Sequence, residues 1–245
     1  MFVFDGVSYT YRGEKVPALS SFSMRAERGK VCALLGPNGA GKSTALAIAA
    51  GWLKPDRGRF LAEGSVAFLP QMERLAFSFS CLEYVTFGRA PHLPYLAVPG
   101  GKDRELAMRA LERVGMADKR DKRITAISGG ELQLVRLARA LAQEAAWAVL
   151  DEPTDKLDPS HSLAVGGVVR EIAARGGGVV FSTHDLSFAL DVADTTVLVR
   201  AGAVSREGPT ADVVSPDELG LLYGTGFCLK TLPVPVSLAC MNDKA

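Results

Sequence analysis

The run Gly36-Pro37-Asn38-Gly39-Ala40-Gly41-Lys42-Ser43-Thr44 fits the pattern GxxxxGK[ST]. It stands directly after an apolar segment, Val31–Leu35, and directly before a helical one that starts at Lys42. Few short patterns restrict a fold as strongly. The glycines let the backbone curl so that successive N–H groups point inward, and the pattern needs a strand before it and a helix after it. The helix N-terminus adds a favourable dipole for negative charge. A nucleoside triphosphate suits this arrangement: Lys42 reaches its β- and γ-phosphates, and the Ser43 hydroxyl ligates Mg²⁺. A tight glycine turn without a ligand is the plain alternative, and the strand–loop–helix setting argues against it.

The rest of the chain supplies a matching framework. Short β-like runs precede the loop at Phe2–Phe4 and Ala18–Met24, and the helix from Lys42 is expected to reach about Trp52, where Gly51 and Pro55 help to end it. Val66–Leu69, Ala146–Leu150, Gly178–Ser182 and Thr196–Val199 are short apolar runs bounded by polar or glycine-rich stretches, the pattern of strands covered on both faces. Helices near Ser160–Ala174 and Leu186–Ala193 alternate with them, so an α/β fold with a parallel core is expected. Between the second and third core strands the pattern turns helical, with Glu83–Arg89 as one helix and Leu106, Ala110, Leu111 and Val114 marking another. The expected organisation is one domain over 1–245. Its core covers about 1–79 and 145–210, an inserted helical subdomain about 80–144, and a C-terminal helix and tail about 210–245.

Composition removes several classes of function. An apolar fraction of 48% and a charged fraction of 22% are ordinary for a globular protein. The net charge of +1 creates no overall field for nucleic acid, and no such partner is expected. Cys32, Cys81, Cys228 and Cys240 are widely spaced and read as thiols in a reducing compartment. The N-terminus does not read as a signal peptide, and no apolar stretch approaches the roughly 20 residues of a membrane helix. Any membrane role therefore needs a partner.

A second site feature follows the strand Ala146–Leu150, which ends in Asp151-Glu152-Pro153-Thr154. The carboxyl end of a buried strand is where α/β sheets place their ligands. Asp151 fits as the carboxylate directed at Mg²⁺ through water. Glu152 fits as the base, or water-positioning group, for in-line attack on the γ-phosphate. Alone, the pair would read as the N-cap region of the next helix.

The more selective motif is Ile127-Ser128-Gly129-Gly130-Glu131, followed by the helical run Leu132–Ala142. Here the chain resembles the ATP-binding-cassette (ABC) family, whose signature is usually written LSGGQ. The resemblance covers about Phe4 to Tyr223. It implies a P-loop NTPase fold with a parallel-sheet core, an N-terminal antiparallel β-subdomain and an inserted α-helical subdomain. It also implies ATP hydrolysis with Mg²⁺ by a head-to-tail dimer holding two ATP molecules in its seam. Each site then takes the loop Gly36–Thr44, Asp151 and Glu152 from one copy, and Ser128, Gly129 and Gly130 from the other. Gln71, after Phe68-Leu69-Pro70, matches the glutamine that senses Mg²⁺ and the attacking water. His184, in Ser182-Thr183-His184-Asp185, matches the switch histidine that contacts the γ-phosphate. Tyr11 corresponds to the aromatic that stacks on adenine, with Tyr9 as a substitute and a packed strand tyrosine as the alternative. Two departures stand out: Glu131 replaces the usual glutamine, and Asp155-Lys156-Leu157-Asp158 replaces Ser-Ala-Leu-Asp.

The transported species is a finer question. Gly88-Arg89-Ala90-Pro91-His92-Leu93 is similar to a GR-x-PHL run of importers for metal chelates or oxyanions, which carry ferric siderophores, haem, cobalamin or molybdate. Gly208-Pro209 followed by a helix at Pro216–Tyr223 is similar to that group's ending. The resemblance implies two transmembrane permease subunits that dock on about Phe77–Pro99, and indirectly a substrate-binding protein. It places the chain in the cytoplasm, peripheral on the inner (plasma) membrane. A generic surface helix is the alternative for the docking segment. The stretch between Gly58 and Gln71 is short; siderophore and haem relatives are usually longer there, while molybdate or tungstate relatives can be similarly trimmed. An exporter cassette, or a soluble ABC ATPase outside transport, is the rival reading. His92 and His161 read as surface groups rather than metal ligands.

Overall fold

The computed structural model describes residues 1–73 and 77–228; Cys240 and the end of the expected tail lie outside them. The chain opens with β1 (Phe2–Tyr9) and β2 (Leu19–Ala26), then runs through β3 (Val31–Leu35) into α1 (Lys42–Ala49). β4 (Arg57–Ala62) follows, and β5 (Val66–Leu69) after it. Next come α2 (Cys81–Thr86), a 3₁₀ turn at Phe87–His92, α3 (Gly101–Arg113) and α4 (Gly129–Ala142). β6 (Trp147–Asp151), α5 (Pro159–Ala174), β7 (Gly178–Thr183), α6 (Leu186–Val192) and β8 (Thr195–Arg200) then alternate. β9 (Ala203–Pro209), α7 (Thr210–Val213) and α8 (Pro216–Tyr223) end the described chain.

A six-stranded sheet, ordered β5-β6-β7-β3-β8-β9, is the spine. Its pairs from β5 through β8 are parallel, and β9 folds back antiparallel on β8. The core strands are mostly apolar because successive side chains serve opposite, covered faces. Val31, Ala33 and Leu35 enter one hydrophobic cluster with the helices α2–α6 and α8, whereas Cys32 and Leu34 enter another with α1 and the N-terminal strands. β6 repeats the division, with Ala148 and Leu150 on the first side and Trp147 and Val149 on the second. The N-terminal sheet is antiparallel, ordered β2-β1-β4, and its Phe2, Phe4 and Phe22 close over the second cluster. Each large side chain buried in this way stabilises the fold by about 1.5–3 kcal/mol.

Four expectations about elements need correction. The helix from Lys42 stops at Ala49 rather than Trp52, because Gly51 turns left-handed at φ 74. The helix expected at Glu83–Arg89 starts earlier, at Cys81, where Ser80 and Glu83 form a reciprocal capping box. It ends at Thr86 and tightens into the 3₁₀ turn. β4 and β9 were not expected at all. Both are polar edge strands, Arg-Gly-Arg-Phe-Leu-Ala and Ala-Val-Ser-Arg-Glu-Gly-Pro, so neither shows the apolar run that marks a covered strand. The β8–β9 hairpin is set by its turn: Ala201 and Gly202 both have positive φ (47 and 78), which matches the twist of the flanking strands.

Among the described residues no helix is long and apolar enough to cross a membrane.

Candidate functional site

The phosphate loop is shaped by close backbone packing. A Cβ on Gly36 would stand 2.2 Å from the Val199 carbonyl oxygen, and one on Gly41 would stand 2.5 Å from that of Ala18. Gly41 also holds φ 104, a conformation that side chains disfavour. Lys42, 6% exposed, donates from Nζ to the Gly36 oxygen at 2.6 Å and the Pro37 oxygen at 3.1 Å, so its ammonium lies over the loop. Burial pushes the ammonium below its usual range, against the pull of the Glu152 and Asp151 carboxylates.

The parallel register brings the acidic pair to the loop. Asp151 pairs with Ser182 across β6 and β7. Its Oδ1 accepts from the Ser182 hydroxyl at 2.5 Å and from the Ser43 hydroxyl at 3.1 Å. A serine hydroxyl and a carboxylate are hard oxygen donors of the kind Mg²⁺ takes, and the two converge here from separate elements. The residues present therefore fit that cation. Glu152 holds a left-handed backbone, φ 48, a conformation that costs on the order of 1–3 kcal/mol and persists only where surroundings enforce it. Its N–H donates to the Ser182 hydroxyl at 3.0 Å, and its carbonyl accepts from the Asp155 N–H at 3.1 Å. The carboxylate Oε2 meets His184 Nδ1 at 2.9 Å.

One cavity of about 450 Å³ gathers six of the sequence-predicted residues. Gly36, Pro37 and Asn38 line it from the loop, and Gln71, Glu152 and His184 line it from three other segments. Gly39, Ala40, Ser43 and Thr44 continue the loop into α1 behind it. Two residues with no assigned role, Asp155 and Tyr223, complete its wall. Gln71 is seated through its backbone: Arg136 on α4 donates to the Pro70 oxygen at 2.5 Å and the Gln71 oxygen at 3.4 Å. Gln133, one turn earlier on α4, donates to the Pro153 oxygen at 3.2 Å. Tyr11 places its hydroxyl 3.1 Å from the Thr44 hydroxyl at the start of α1, with its ring edge-on to Tyr9.

The cavity lining includes none of Ser128, Gly129 or Gly130. They form the N-terminus of α4, where the Ser128 hydroxyl accepts from the Glu131 N–H and Glu131 accepts from the Ser128 N–H. Lys119 pairs with the Glu131 carboxylate and, together with the Ser128 N–H, lowers its pKa to about 2. A Cβ on Gly130 would meet the His161 ring at 3.2 Å, so that histidine packs on the signature loop rather than standing free. Asp158 caps α5 by accepting from the Ser160 and His161 N–H groups and also binds the His161 ring.

Sequence reasoning missed Ser182, Arg136 and Tyr223, and noted Asp155 only as a departure from the family pattern. Ser182 had a signal, since it immediately precedes Thr183-His184 on a strand expected beside the acidic one. Tyr223 had none, because it sits 71 residues beyond Glu152.

Comparison with known proteins agrees with this geometry. The manganese transport system ATP-binding protein MntA of Synechocystis is 35% identical over 232 residues, covering 90% of this chain and 88% of that protein. The hemin import ATP-binding protein HmuV of Gloeobacter violaceus is 37% identical, covering 87% of this chain and 83% of that protein. A metal-chelate type ABC transporter in an inward-facing conformation superposes with a TM-score of 0.85 at 29% identity, covering 92% of this chain and 89% of that one. A dimeric bacterial ABC transporter cassette, MJ0796, superposes with a TM-score of 0.77 at 26% identity, covering 86% and 99%. With residues 19–155 matching the ABC transporter family as well, this chain belongs to that family and is an ATP-binding, ATP-hydrolysing cassette.

Proposed function

We propose that the chain is the ATPase subunit of an importer, working as a head-to-tail pair on two membrane permease subunits at the cytoplasmic face of the membrane. The whole chain is read as one nucleotide-binding domain. Convergence of the loop residues Gly36–Asn38 with Gln71, Glu152 and His184 on one cavity, with the Lys42 ammonium bound to the Gly36 and Pro37 oxygens, carries the ATPase half of this reading. Lys42 would leave its loop carbonyls to neutralise the β- and γ-phosphates, and the N–H groups of Gly36–Thr44 would cradle them. Ser43 and Asp151, with Gln71, would hold Mg²⁺, which draws charge from the phosphate oxygens when bound. Glu152 would orient the attacking water and accept its proton, while His184 fixes that carboxylate and reaches the γ-phosphate. Tyr11 would face the adenine from beside Thr44. Since Ser128, Gly129 and Gly130 stand outside this cavity, they would serve the nucleotide of a second copy.

Import is supported by the relatives and by a surface. A groove of about 440 Å³ is lined by Phe79, Leu82, Phe87, Val98 and Pro99 and by as many polar or charged residues, among them Glu83, Arg104 and Asp121. Val98 in its wall is 84% exposed, and Phe77, whose ring lies against that of Phe79, is 70% exposed. The Gly88–Leu93 run is absent from the lining of this groove and is instead tied to α4 and the residues just after it. A Cβ on Gly88 would stand 2.3 Å from the Arg139 carbonyl oxygen on α4, and the buried Arg89 binds the Ala142 oxygen at 2.6 Å and Glu144 at 2.8 Å. The groove suits a helix from a permease. For cargo, the hemin and manganese relatives favour a metal chelate or metal ion, which extends the expected class beyond iron-siderophore, haem, cobalamin or molybdate.

The test is direction. Co-purified with its membrane subunits and placed in vesicles with ATP on the cassette side, the chain should drive hemin or Mn²⁺ toward that side. Movement away from it would overturn import, and absence of any membrane partner in the purification would overturn transport.

A further inference from the structure

Tyr223 is the last residue of α8, an element that otherwise takes no part in the nucleotide site. Several attachments fix where the helix ends. Leu219 and Leu222 are buried in the helical-side cluster, and the Leu221 oxygen accepts from Arg200 at 3.0 Å. Arg206 on β9 pairs with Glu218. Gly224, left-handed at φ 68, closes the helix with its N–H on the Gly220 oxygen at 2.9 Å. The Tyr223 ring then rests on Phe227, with centroids 5.8 Å apart. This construction brings a phenol from the far end of the chain into the wall of the cavity that holds Glu152, His184 and Gln71.

We propose that Tyr223 is a positioning residue for ATP hydrolysis, its hydroxyl donating to the Glu152 carboxylate in the nucleotide-bound state. The chemistry is complementary. An ionised carboxylate only accepts hydrogen bonds, and a phenol at neutral pH has one proton to donate. Burial pushes the Tyr223 hydroxyl above its usual range, and the Glu152 carboxylate adds to the rise, so the donor keeps its proton. His184 already meets one carboxylate oxygen, Oε2, at 2.9 Å, and a donor arriving from α8 would hold the other. Two donors on two oxygens fix the rotation of a carboxylate that must aim at a water. Since α8 is seated on the β8–β9 hairpin, the aim of Glu152 depends on how the C-terminal helix is docked.

The proposal rests on Glu152 being the water-activating group, so the experiment carries both variants. In the full chain at saturating ATP, Tyr223→Phe should lower kcat about ten-fold with the KM for ATP changed less than about two-fold, the size expected for one lost hydrogen bond to a charged group. Tyr223→Ala should lower kcat by at least as much. Full kcat in Tyr223→Phe would show that the ring only packs, and would overturn the proposal. A raised KM at unchanged kcat would overturn it too, because the hydroxyl would then act in nucleotide binding. Glu152→Gln is the control. Steady turnover by that variant would sink the underlying site reading, whereas its arrest beside a fully active Tyr223→Phe would sink only the role of Tyr223.

Discussion

Two helix N-termini of this chain are read as phosphate sites, and they are built in opposite ways. α1 begins at a left-handed Gly41, has no side-chain cap and carries no acid in its first turn. Its orphan N–H groups and the positive end of its dipole are left for an anion. α4 begins at Ser128, where a capping box uses two of the four orphan N–H groups and puts the Glu131 carboxylate in the first turn. The chain has already supplied at α4 the negative charge it withholds at α1. What α4 still offers outward is the Ser128 hydroxyl proton and the N–H groups of Gly129 and Gly130. Under the proposed function the difference is a division of labour: the α1 end would hold the nucleotide, and the α4 end, with fewer free donors, would complete a site held on a second copy.

The sharpest way to break that comparison is to block the α4 end without touching the α1 end. Ser128→Arg should reduce turnover on the order of 100-fold or more, because a long cation replaces the donors needed in the transition state. Affinity for ATP, measured by calorimetry, should stay within about two-fold of the parent, since a bound nucleotide leans on α1. Loss of binding in this variant would place both helix ends in one site and end the division. Lys42→Ala is the converse. Removing one charge-assisted donor should weaken ATP binding by about 1.5–3 kcal/mol, roughly 10- to 150-fold. Unchanged affinity by the same calorimetry would mean that the ammonium stays on the Gly36 and Pro37 oxygens when ATP is present.

The same contrast explains which parts of the molecule could be read from the chain. The strand–loop–helix at Val31–Ala49 and the acidic pair after β6 were legible because their chemistry is local: a covered strand, a forced turn and a capped or uncapped helix start all leave marks within a dozen residues. The signature helix was legible for the same reason. β4 and β9 were not, since an edge strand borrows its register from β1 or β8 and needs no apolar run of its own. Arg136 carries no local mark in the chain, yet it donates to the Pro70 and Gln71 backbone oxygens from across the fold. Asp155 drew notice as a departure, but its place in the cavity wall follows from the turn after Glu152, which only the left-handed backbone there defines.

Glu131 permits the finest adjustment of the comparison, because it is the acid that makes α4 unlike α1. Its pKa, lowered to about 2 by Lys119 and the Ser128 N–H, keeps it ionised throughout the working range. A group whose folded pKa is depressed contributes stability above its ordinary value near 4.5, and that contribution is lost as pH falls through about 2. The capping box therefore adds no pH dependence between pH 6 and pH 8. Glu131→Gln keeps an oxygen to accept the Ser128 N–H and removes the charge, freeing Lys119 beside a site that would face the phosphates of a second copy. The Lys119 side chain is only 25% exposed but reaches water, so solvent screens the freed charge, and ATP-driven pairing should tighten by only about two-fold, equally at both pH values. Sedimentation at increasing ATP measures it. A ten-fold weakening would mean that the Lys119–Glu131 pair is needed to hold the signature loop in shape, and the charge at α4 would then be structural rather than a restraint on phosphate.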